Sequence, residues 1–389
     1  MNLLVVTPKY DPDNFSINII VNELISKGHM VTVLTSLPFD NDGYIDGYEY
    51  LKKKDHLTIY RLKVKRRKKS TLSIISNYLS FYFLSKRWVK RCKEKYDAVY
   101  TFNVSPVTSL AAGNLYKKKY KVKHVAHILD IWPASYLASG KKKESSLMYK
   151  ILFKWSKSLY REVDQLLIGS KSFESYLKDV LKLENLNISY LPQPALYSDN
   201  KGDNPYIKDT FNNLYAGNIA KLQLVDFPIK MMNLINDKSI HLTIIGSGSF
   251  EDTIKEEINN NINKDNIHLY PQMDYKDVSR YYQYASIIFI GLDSSSSVKD
   301  VIPNKLITAL AYGKIIVGMM NGDGASILKE TSNYVTNQDI NELKEVVEKV
   351  KSLGKKEIKI KEDNNRSYYL SHYSIEYIIN NLLDSFSSK

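Results

Sequence analysis

The segment Ile302-Pro303-Asn304-Lys305-Leu306-Ile307-Thr308-Ala309-Leu310-Ala311-Tyr312-Gly313-Lys314 carries the residue types that hold an anion. Proline at the first helical position, Asn304 beside it and Gly313 just past the end punctuate a short helix. Backbone N–H groups and the helix dipole at such a start favour negative charge by ~0.3–1 kcal/mol, more when partly buried. Lys305 adds a point charge suited to phosphate, and a Ser-rich loop at 294–297 leads into it. A plain surface helix is the other reading of the same pattern. Gly246 and Gly248, in Ile244-Ile245-Gly246-Ser247-Gly248-Ser249, let a backbone approach a phosphate or sugar. They also fit a simple strand–helix turn. Gly322, Asp323 and Gly324, in Asn321-Gly322-Asp323-Gly324-Ala325, offer the same approach or an ordinary tight turn.

In the first half, Val125-Ala126-His127-Ile128-Leu129-Asp130-Ile131-Trp132-Pro133 puts a carboxylate at the carboxyl end of an apolar strand. Asp130 is the candidate general base for an acceptor hydroxyl. His127 shares a face with Leu129 on period-2 counting, which makes it a core histidine.

These residues need elements to position them. Strand-like apolar runs fall at 3–7, 30–36, 57–64, 98–103, 122–130 and 165–169, with helical patterns at 17–27, 106–117 and 171–181. A second series runs through 213–217, 240–246, 267–270, 287–291 and 315–318, with helices at 251–260, 275–285, 305–312 and 340–353. Such alternation predicts parallel α/β sheets. The polar stretch 197–209 reads as a linker. The expected division is therefore 1–196, 210–367, and a Tyr-rich C-terminal helix at 368–389 packing back on the first lobe. At ~150 residues per domain, 389 residues accommodate two to three domains. The expected class is α/β, two Rossmann-like doubly wound domains facing across a cleft, with ligands at the carboxyl ends of the strands.

Composition sets bounds. Hydrophobic residues make 43% and charged residues 25% of the chain, the balance of a folded protein with a sizeable core. One cysteine, Cys92, cannot form an internal disulfide, and the start Met1-Asn2-Leu3-Leu4-Val5-Val6 has no basic n-region before it. Both point to a reducing cytoplasm. No apolar run reaches the ~18 residues of a spanning helix. The formal charge of +13 and pI near 9.2 suit anionic partners. No zinc-ligand spacing or RNP-type motif accompanies that charge, so nucleic acid is not expected.

Several segments, in chain order, resemble glycosyltransferase family 4, of the GT-B fold, and within it the bacterial fucosaminyltransferase-like subgroup of capsule and O-antigen biosynthesis. Tyr10-Asp11-Pro12-Asp13-Asn14-Phe15-Ser16-Ile17-Asn18 is similar to its PPENFRIN, and Gly28-His29-Met30-Val31-Thr32-Val33-Leu34-Thr35-Ser36-Leu37-Pro38 to its GHEVTVLTGLP. Asp46-Gly47-Tyr48 and Ser105-Pro106-Val107-Thr108 match DGY and SPVT, and Asp130-Ile131-Trp132-Pro133-Ala134-Ser135 resembles DLWPES. Ala216-Gly217-Asn218-Ile219 with Gln223 resembles AGNIGxAQ, and the segments at Pro303 and Asn321 resemble P-S/A-K and NGEG.

The resemblance implies retaining transfer from a UDP-sugar, with no cofactor and no essential metal. The moved sugar could be an N-acetylated amino sugar such as N-acetyl-L-fucosamine. Helix amides and basic side chains must then offset the leaving diphosphate. It places Asn218, Gln223, Gly246, Gly248, Asp300, Asn304, Lys305, Thr308, Gly322, Asp323 and Gly324 on the donor, and Asn14, Asn18, Ser105 and Trp132 on the acceptor side. Departures are visible. Asp300 and Thr308 stand where the wider family has two glutamates, the second of which grips the ribose. A neutral hydroxyl bond contributes ~0.5–1.5 kcal/mol against ~1.5–3 for a charged one. Leu129 stands for a common histidine, Ala134 for the subgroup's glutamate, and Asn218 for an arginine.

The acceptor implied is an undecaprenyl-diphosphate-linked sugar. Basic residues from Arg61 to Lys69 and from Lys86 to Arg91 flank the aromatic-rich stretch 72–84. That pattern fits peripheral attachment to the inner face of the plasma membrane through 61–91. A solvated helix end is the other reading. A non-catalytic nucleotide-sugar-binding partner of a polysaccharide assembly complex and a GT-B epimerase are the competing functions.

Overall fold

Runs such as Leu3-Leu4-Val5-Val6 and Ile287-Ile288-Phe289-Ile290 are apolar at every position and fully buried, which suits strands covered on both faces. The computed structural model describes residues 1–13, 15–40, 43–67, 70–139, 143–199, 202–293 and 300–387 and builds two sheets from these runs. Asn14, Lys68, Lys69 and the 294–297 loop lie outside the described residues.

The elements in chain order begin with β1 (Asn2–Val6), α1 (Ser16–Ser26), β2 (Met30–Ser36), β3 (Leu51–Lys54), β4 (Leu57–Leu62) and α2 (Thr71–Arg91). Next come β5 (Ala98–Asn103), α3 (Ser109–Tyr120), β6 (Lys123–Ile128), α4 (Leu147–Tyr160), β7 (Gln165–Ile168), α5 (Phe173–Ser175) and β8 (Ile188–Tyr190). The second series is β9 (Phe211–Ala216), α6 (Asp226–Met232), β10 (Ile240–Ile245), α7 (Glu251–Asn259), β11 (Ile267–Tyr270), α8 (Tyr275–Tyr284) and β12 (Ile287–Gly291). It closes with α9 (Asn304–Ala311), β13 (Ile315–Met319), α10 (Gly322–Glu330), β14 (Tyr334–Val335), α11 (Ile340–Ser352), α12 (Lys355–His372) and α13 (Ile375–Ser387).

The chain divides into two compact units, Met1–Pro194 with Ile375–Lys389, and Ala195–Ser374. In the first, the strand order is β3-β4-β2-β1-β5-β6-β7-β8, parallel except for β3. In the second it is β11-β10-β9-β12-β13-β14, all parallel. Each order reverses once, between β1 and β5 and between β9 and β12. Outside the carboxyl ends of the strands at such a reversal a doubly wound sheet leaves its ligand crevice. Helices α1 and α13 cover one face of the first sheet, and α2 and α3 the other. A single large core, from Tyr215 and Ile229 to Leu343 and Val350, holds the second unit.

Three expectations change. The polar stretch 197–209 groups with the second unit, because its tyrosines pack there. Tyr197 meets Tyr312 ring to ring at 4.7 Å, and the Tyr206 hydroxyl donates to the Tyr281 carbonyl at 2.9 Å. The single C-terminal helix is two helices. The N–H of Tyr373 bonds to the Tyr369 carbonyl and closes α12 in the second unit, whereas Ile378, Ile379, Leu382 and Phe386 of α13 enter the first unit's core. The helix expected at 171–181 is α5 followed by a π turn at Tyr176–Val180. Strand β3 escaped the pattern search because Leu51-Lys52-Lys53-Lys54 is exposed throughout, with lysines guarding a sheet edge.

His127 is a core residue, as its face predicts. Its Nε2 donates to the Leu191 carbonyl and its Nδ1 accepts from the Tyr100 hydroxyl, both at 2.8 Å. His124 is equally buried, bonded through Nδ1 to Asn114 Oδ1 at 2.7 Å and through Nε2 to Thr101 at 2.9 Å. Burial lowers their pKa values from 6.5 to about 4 for His127 and about 3 for His124. The unfolded chain therefore binds more protons than the folded one below pH 6.5. Stability is expected to fall as pH drops from 6.5 towards 4, by up to ~1.4 kcal/mol per pH unit for each histidine. Urea unfolding at a series of pH values checks this, and His127→Gln should remove about half of the slope.

Candidate functional site

Strand β9 runs Phe211-Asn212-Asn213-Leu214-Tyr215-Ala216 and ends at the sheet reversal with Gly217. Period-2 counting puts Tyr215 and Gly217 on one side of the strand. Lys305, on the first turn of α9, comes down on that side. A Cβ added to Gly217 would stand 3.3 Å from both Cε and Nζ of Lys305. The Lys305 ammonium donates to Tyr215 Oη at 2.9 Å and to Gln223 Oε1 at 2.6 Å, and lies 4.3 Å from the Tyr215 ring centroid. The Tyr215 hydroxyl in turn donates to the Asn218 carbonyl at 2.7 Å.

Burial alone lowers the Lys305 pKa from 10.5 to about 7. None of the ion pairs among the described residues includes it. The ammonium is thus desolvated and hydrogen-bonded but not neutralised. An anion reaching it would restore its charge.

Helix α9 starts at Asn304, between the proline read as its first residue and the range 305–312 read from its apolar pattern. Pro303 is the N-cap, with extended φ and ψ of −71° and 139°, and Asn304 is the first helical residue. A proline cap has no side-chain acceptor, so the N-cap residue itself does not cap this end. Thr308 is buried, and its hydroxyl donates to Asn304 Oδ1 at 3.2 Å, one turn back. The hydroxyl standing in place of the family glutamate is therefore engaged within its own helix. Asp300 is half-buried just ahead of the cap.

The glycines divide by role. A Cβ on Gly246 would collide with the Gly217 carbonyl, and one on Gly248 with the Ile219 carbonyl. The close approach expected of them towards a ligand is instead taken up by the chain itself, which packs the β9 and β10 ends together. Asn218 is exposed on this joined turn. Gly322, Asp323 and Gly324 form the first turn of α10 rather than a tight turn. Its N-cap residue, Asn321, makes no side-chain cap bond either, and Asp323 sits where the helix dipole favours a carboxylate. A Cβ on Gly324 would crowd Met320 and approach Leu306 of α9 at 3.8 Å, so α10 begins beside α9.

In the first unit, Asp130 follows the end of β6. Its Oδ2 accepts a short hydrogen bond from the Ser105 hydroxyl, and Ser105 Oγ lies 2.6 Å from Ser135 Oγ. Burial raises the Asp130 pKa, against the lowering effect of hydrogen bonds from Ser105, Ser135 and the Ile131 backbone. Oδ1 of Asp130, Oδ1 of Asn103 and Nε1 of Trp132 are buried with no hydrogen-bond partner among the described residues. Ser105 also lines a cavity of about 160 Å³ with Lys9, Arg67, Asn77, Tyr78 and Thr108. Asn18 donates to the Asp13 carbonyl at 2.8 Å, and its Oδ1 is buried without a partner. Asn14 lies outside the described residues.

A larger cavity of about 460 Å³ opens in the second unit at the far end of α9, lined by Tyr197, Tyr312, Lys314, Lys359 and Arg366. Its two lysines are already paired, Lys314 with Glu362 at 3.1 Å and Lys359 with Asp363 at 2.7 Å, and Arg366 donates to the Ala311 carbonyl and lies over the Tyr197 and Tyr369 rings. It is the weaker anion site for that reason.

Comparison with known proteins bears on the Lys305 side. Residues 199–367 match the family model described as "Glycosyl transferases group 1". This segment is similar to a group 1 glycosyltransferase domain. It covers β9 to α12 and contains the whole Lys305 arrangement. A curated protein, probable glycosyltransferase WbjE of Pseudomonas aeruginosa, is 20% identical over 162 residues, spanning 39% of this chain and 40% of that protein. Among solved structures, sucrose-phosphate synthase from Thermosynechococcus elongatus superposes with a TM-score of 0.79 at 14% identity, over 99% of this chain and 98% of that one. WaaG, a glycosyltransferase involved in lipopolysaccharide biosynthesis, gives 0.74 at 14% identity over the full length of both chains. Anabaena HepE in complex with UDP gives 0.71 at 13% identity, also over both full lengths. The fold is that of the GT-B glycosyltransferases.

The residue that sequence reasoning passed over is Tyr215, which holds the ammonium and the Asn218 turn at once. Its signal was the i, i+2 spacing from Gly217. Ser135 was quoted within its motif without a role.

Lys305 should titrate near neutrality. In lysine-labelled protein, the ¹³Cε resonance that disappears in Lys305→Ala is expected to titrate near pH 7, and added sulfate should move its midpoint upward. A midpoint near 10.5 would show that the ammonium is solvated after all.

Proposed function

We propose that the protein is a retaining glycosyltransferase moving a sugar from a UDP-sugar to a lipid-linked glycan, in capsule, O-antigen or exopolysaccharide synthesis. The observation that carries this reading is the desolvated, unneutralised Lys305 ammonium at the strand-order reversal of the segment similar to a group 1 domain. A diphosphate is the anion that such a point charge beside two helix starts without a side-chain cap from their N-cap residues suits best. HepE has been solved with UDP and with UDP-glucose, which supports a uridine diphosphate donor here. The names of WbjE and WaaG support a cell-surface glycan as product. An N-acetylated amino sugar such as N-acetyl-L-fucosamine is the sugar we assign, from the motif resemblance.

In this reaction the bond between the sugar's anomeric carbon and the β-phosphate oxygen breaks, and its electron pair stays on the phosphate. Lys305 and the amides at the starts of α9 and α10 offset that charge as it develops. Gln223 and Tyr215 hold the ammonium in position. The acceptor hydroxyl forms the new bond and gives its proton to Asp130. The raised pKa of Asp130 brings it closer to the working range of a base near neutral pH. The proposal assigns no step to a metal.

Lys305→Ala is expected to weaken UDP binding by ~1–3 kcal/mol, the worth of a hydrogen bond to a charged group. Unchanged affinity by calorimetry would remove Lys305 from the donor site. Asp130→Asn should leave UDP affinity unchanged and lower transfer ~100-fold or more, read as product formed per enzyme. A thermal-shift screen of nucleoside-diphosphate sugars identifies the donor, which stabilises by mass action. Binding of a UDP-sugar with no turnover on any lipid-linked acceptor would favour the non-catalytic partner instead.

A further inference from the structure

We infer that α2 and α4 together form a lipid-inserting face that lays the carboxyl edge of the first unit's sheet on an anionic bilayer. The first three turns of α2 expose one apolar stripe, Leu72, Ile75, Leu79 and Phe83, with Leu72 80% and Phe83 62% exposed. The spacing is that of a single helix face. The start of α4 exposes Leu147, Met148 and Ile151, the first 75% and the last 53% accessible. The rings of Tyr82 on α2 and Trp155 on α4 meet at 5.8 Å, which ties the two helices together.

Both are crossover helices of parallel strands, so both begin at the carboxyl edge of the sheet, where Ser105 and Asp130 lie. The apolar residues occupy those leading ends. Asn77 and Tyr78 of α2 turn to the 160 Å³ cavity that Ser105 lines. One helix thus offers its exposed stripe to lipid and an adjacent side to the candidate acceptor pocket.

Charge names the occupant. Neither helix contains an acidic residue, and the segment 61–91 has none. Exposed Lys63, Lys65 and Arg67 precede the apolar stripe of α2, Arg87, Lys90 and Arg91 follow it, and exposed Lys150 and Lys154 lie on α4. A second protein copy would bring the same positive charge to this face, whereas anionic lipid headgroups complement it. No helix among the described residues is long and apolar enough to cross a membrane. The sequence pointed to 61–91 alone; the participation of α4 and the placement at the carboxyl edge come from the structure. The inference rests on the lipid-linked acceptor only for its purpose.

The test is co-sedimentation of the full chain with phosphatidylcholine vesicles, with and without phosphatidylglycerol, alongside calorimetry with UDP. Wild type is expected to partition onto the phosphatidylglycerol vesicles, with a blue shift of Trp155 fluorescence. Phe83→Ser on α2 and, separately, Ile151→Ser on α4 should each weaken partition about tenfold while leaving UDP affinity unchanged. An Ile151→Ser protein that binds vesicles like wild type overturns the two-helix face. Equal binding to neutral vesicles, or a wild-type dimer in solution that Phe83→Ser disperses, overturns the anionic bilayer as occupant. Vesicle binding as expected, with transfer only to water-soluble acceptors, keeps the face and overturns the lipid-linked acceptor.

Discussion

The second unit is organised around one unfavourable arrangement, a largely desolvated lysine ammonium that no carboxylate among the described residues meets. Tyr215 and Gln223 satisfy its hydrogen bonds, but two neutral acceptors do not replace hydration, and the pKa falls to about 7. Folding tolerates the arrangement because the surrounding sheet is buried on both faces and fixes every neighbour. Tyr215 is anchored in β9, Gln223 rides above the end of β12 where only Gly291 leaves room, and Lys305 is carried on a helix with a buried apolar face. A pre-formed, charge-deficient site of this kind needs no reorganisation when its anion arrives.

The first unit solves a different problem with the same strand order. Its reversal point gathers neutral hydroxyls around one carboxylate, and Ser105 serves both Asp130 and the cavity beside it. Burial pushes the carboxyl up and the lysine down, so the two groups drift towards neutrality from opposite sides. Pairs of groups displaced in this way are the usual mark of acid–base and charge-offset roles.

Much of this was legible in the sequence, for identifiable reasons. Strands covered on both faces write themselves as continuous apolar runs, so β2, β5 and β12 could be bounded to the residue. Lys305 stood out by residue type and position, and Gln223 through the motif resemblance alone. What the sequence hid depends on contacts between distant segments. Nothing local says that the Gly246 and Gly248 positions are filled by the turn after β9, or that Thr308 bonds back to Asn304. Pro303 reads equally as a cap or a first residue until φ and ψ decide. The exposed start of α4 carried no signal, because an amphipathic helix looks the same whichever of its faces meets solvent.

Helix α13 has a consequence for how the molecule is made. Ile378, Ile379, Leu382 and Phe386 complete a core whose other walls are β1, α1 and β5, and the Phe386 ring meets Tyr100 at 6.1 Å. A ribosome releases these residues only after the whole second unit has emerged. The first unit must therefore wait, with Ile17 and Ile20 uncovered, for the last helix of the chain. During synthesis the second unit can finish before the first, and the order of the domains in the chain is the reverse of the order in which they can close.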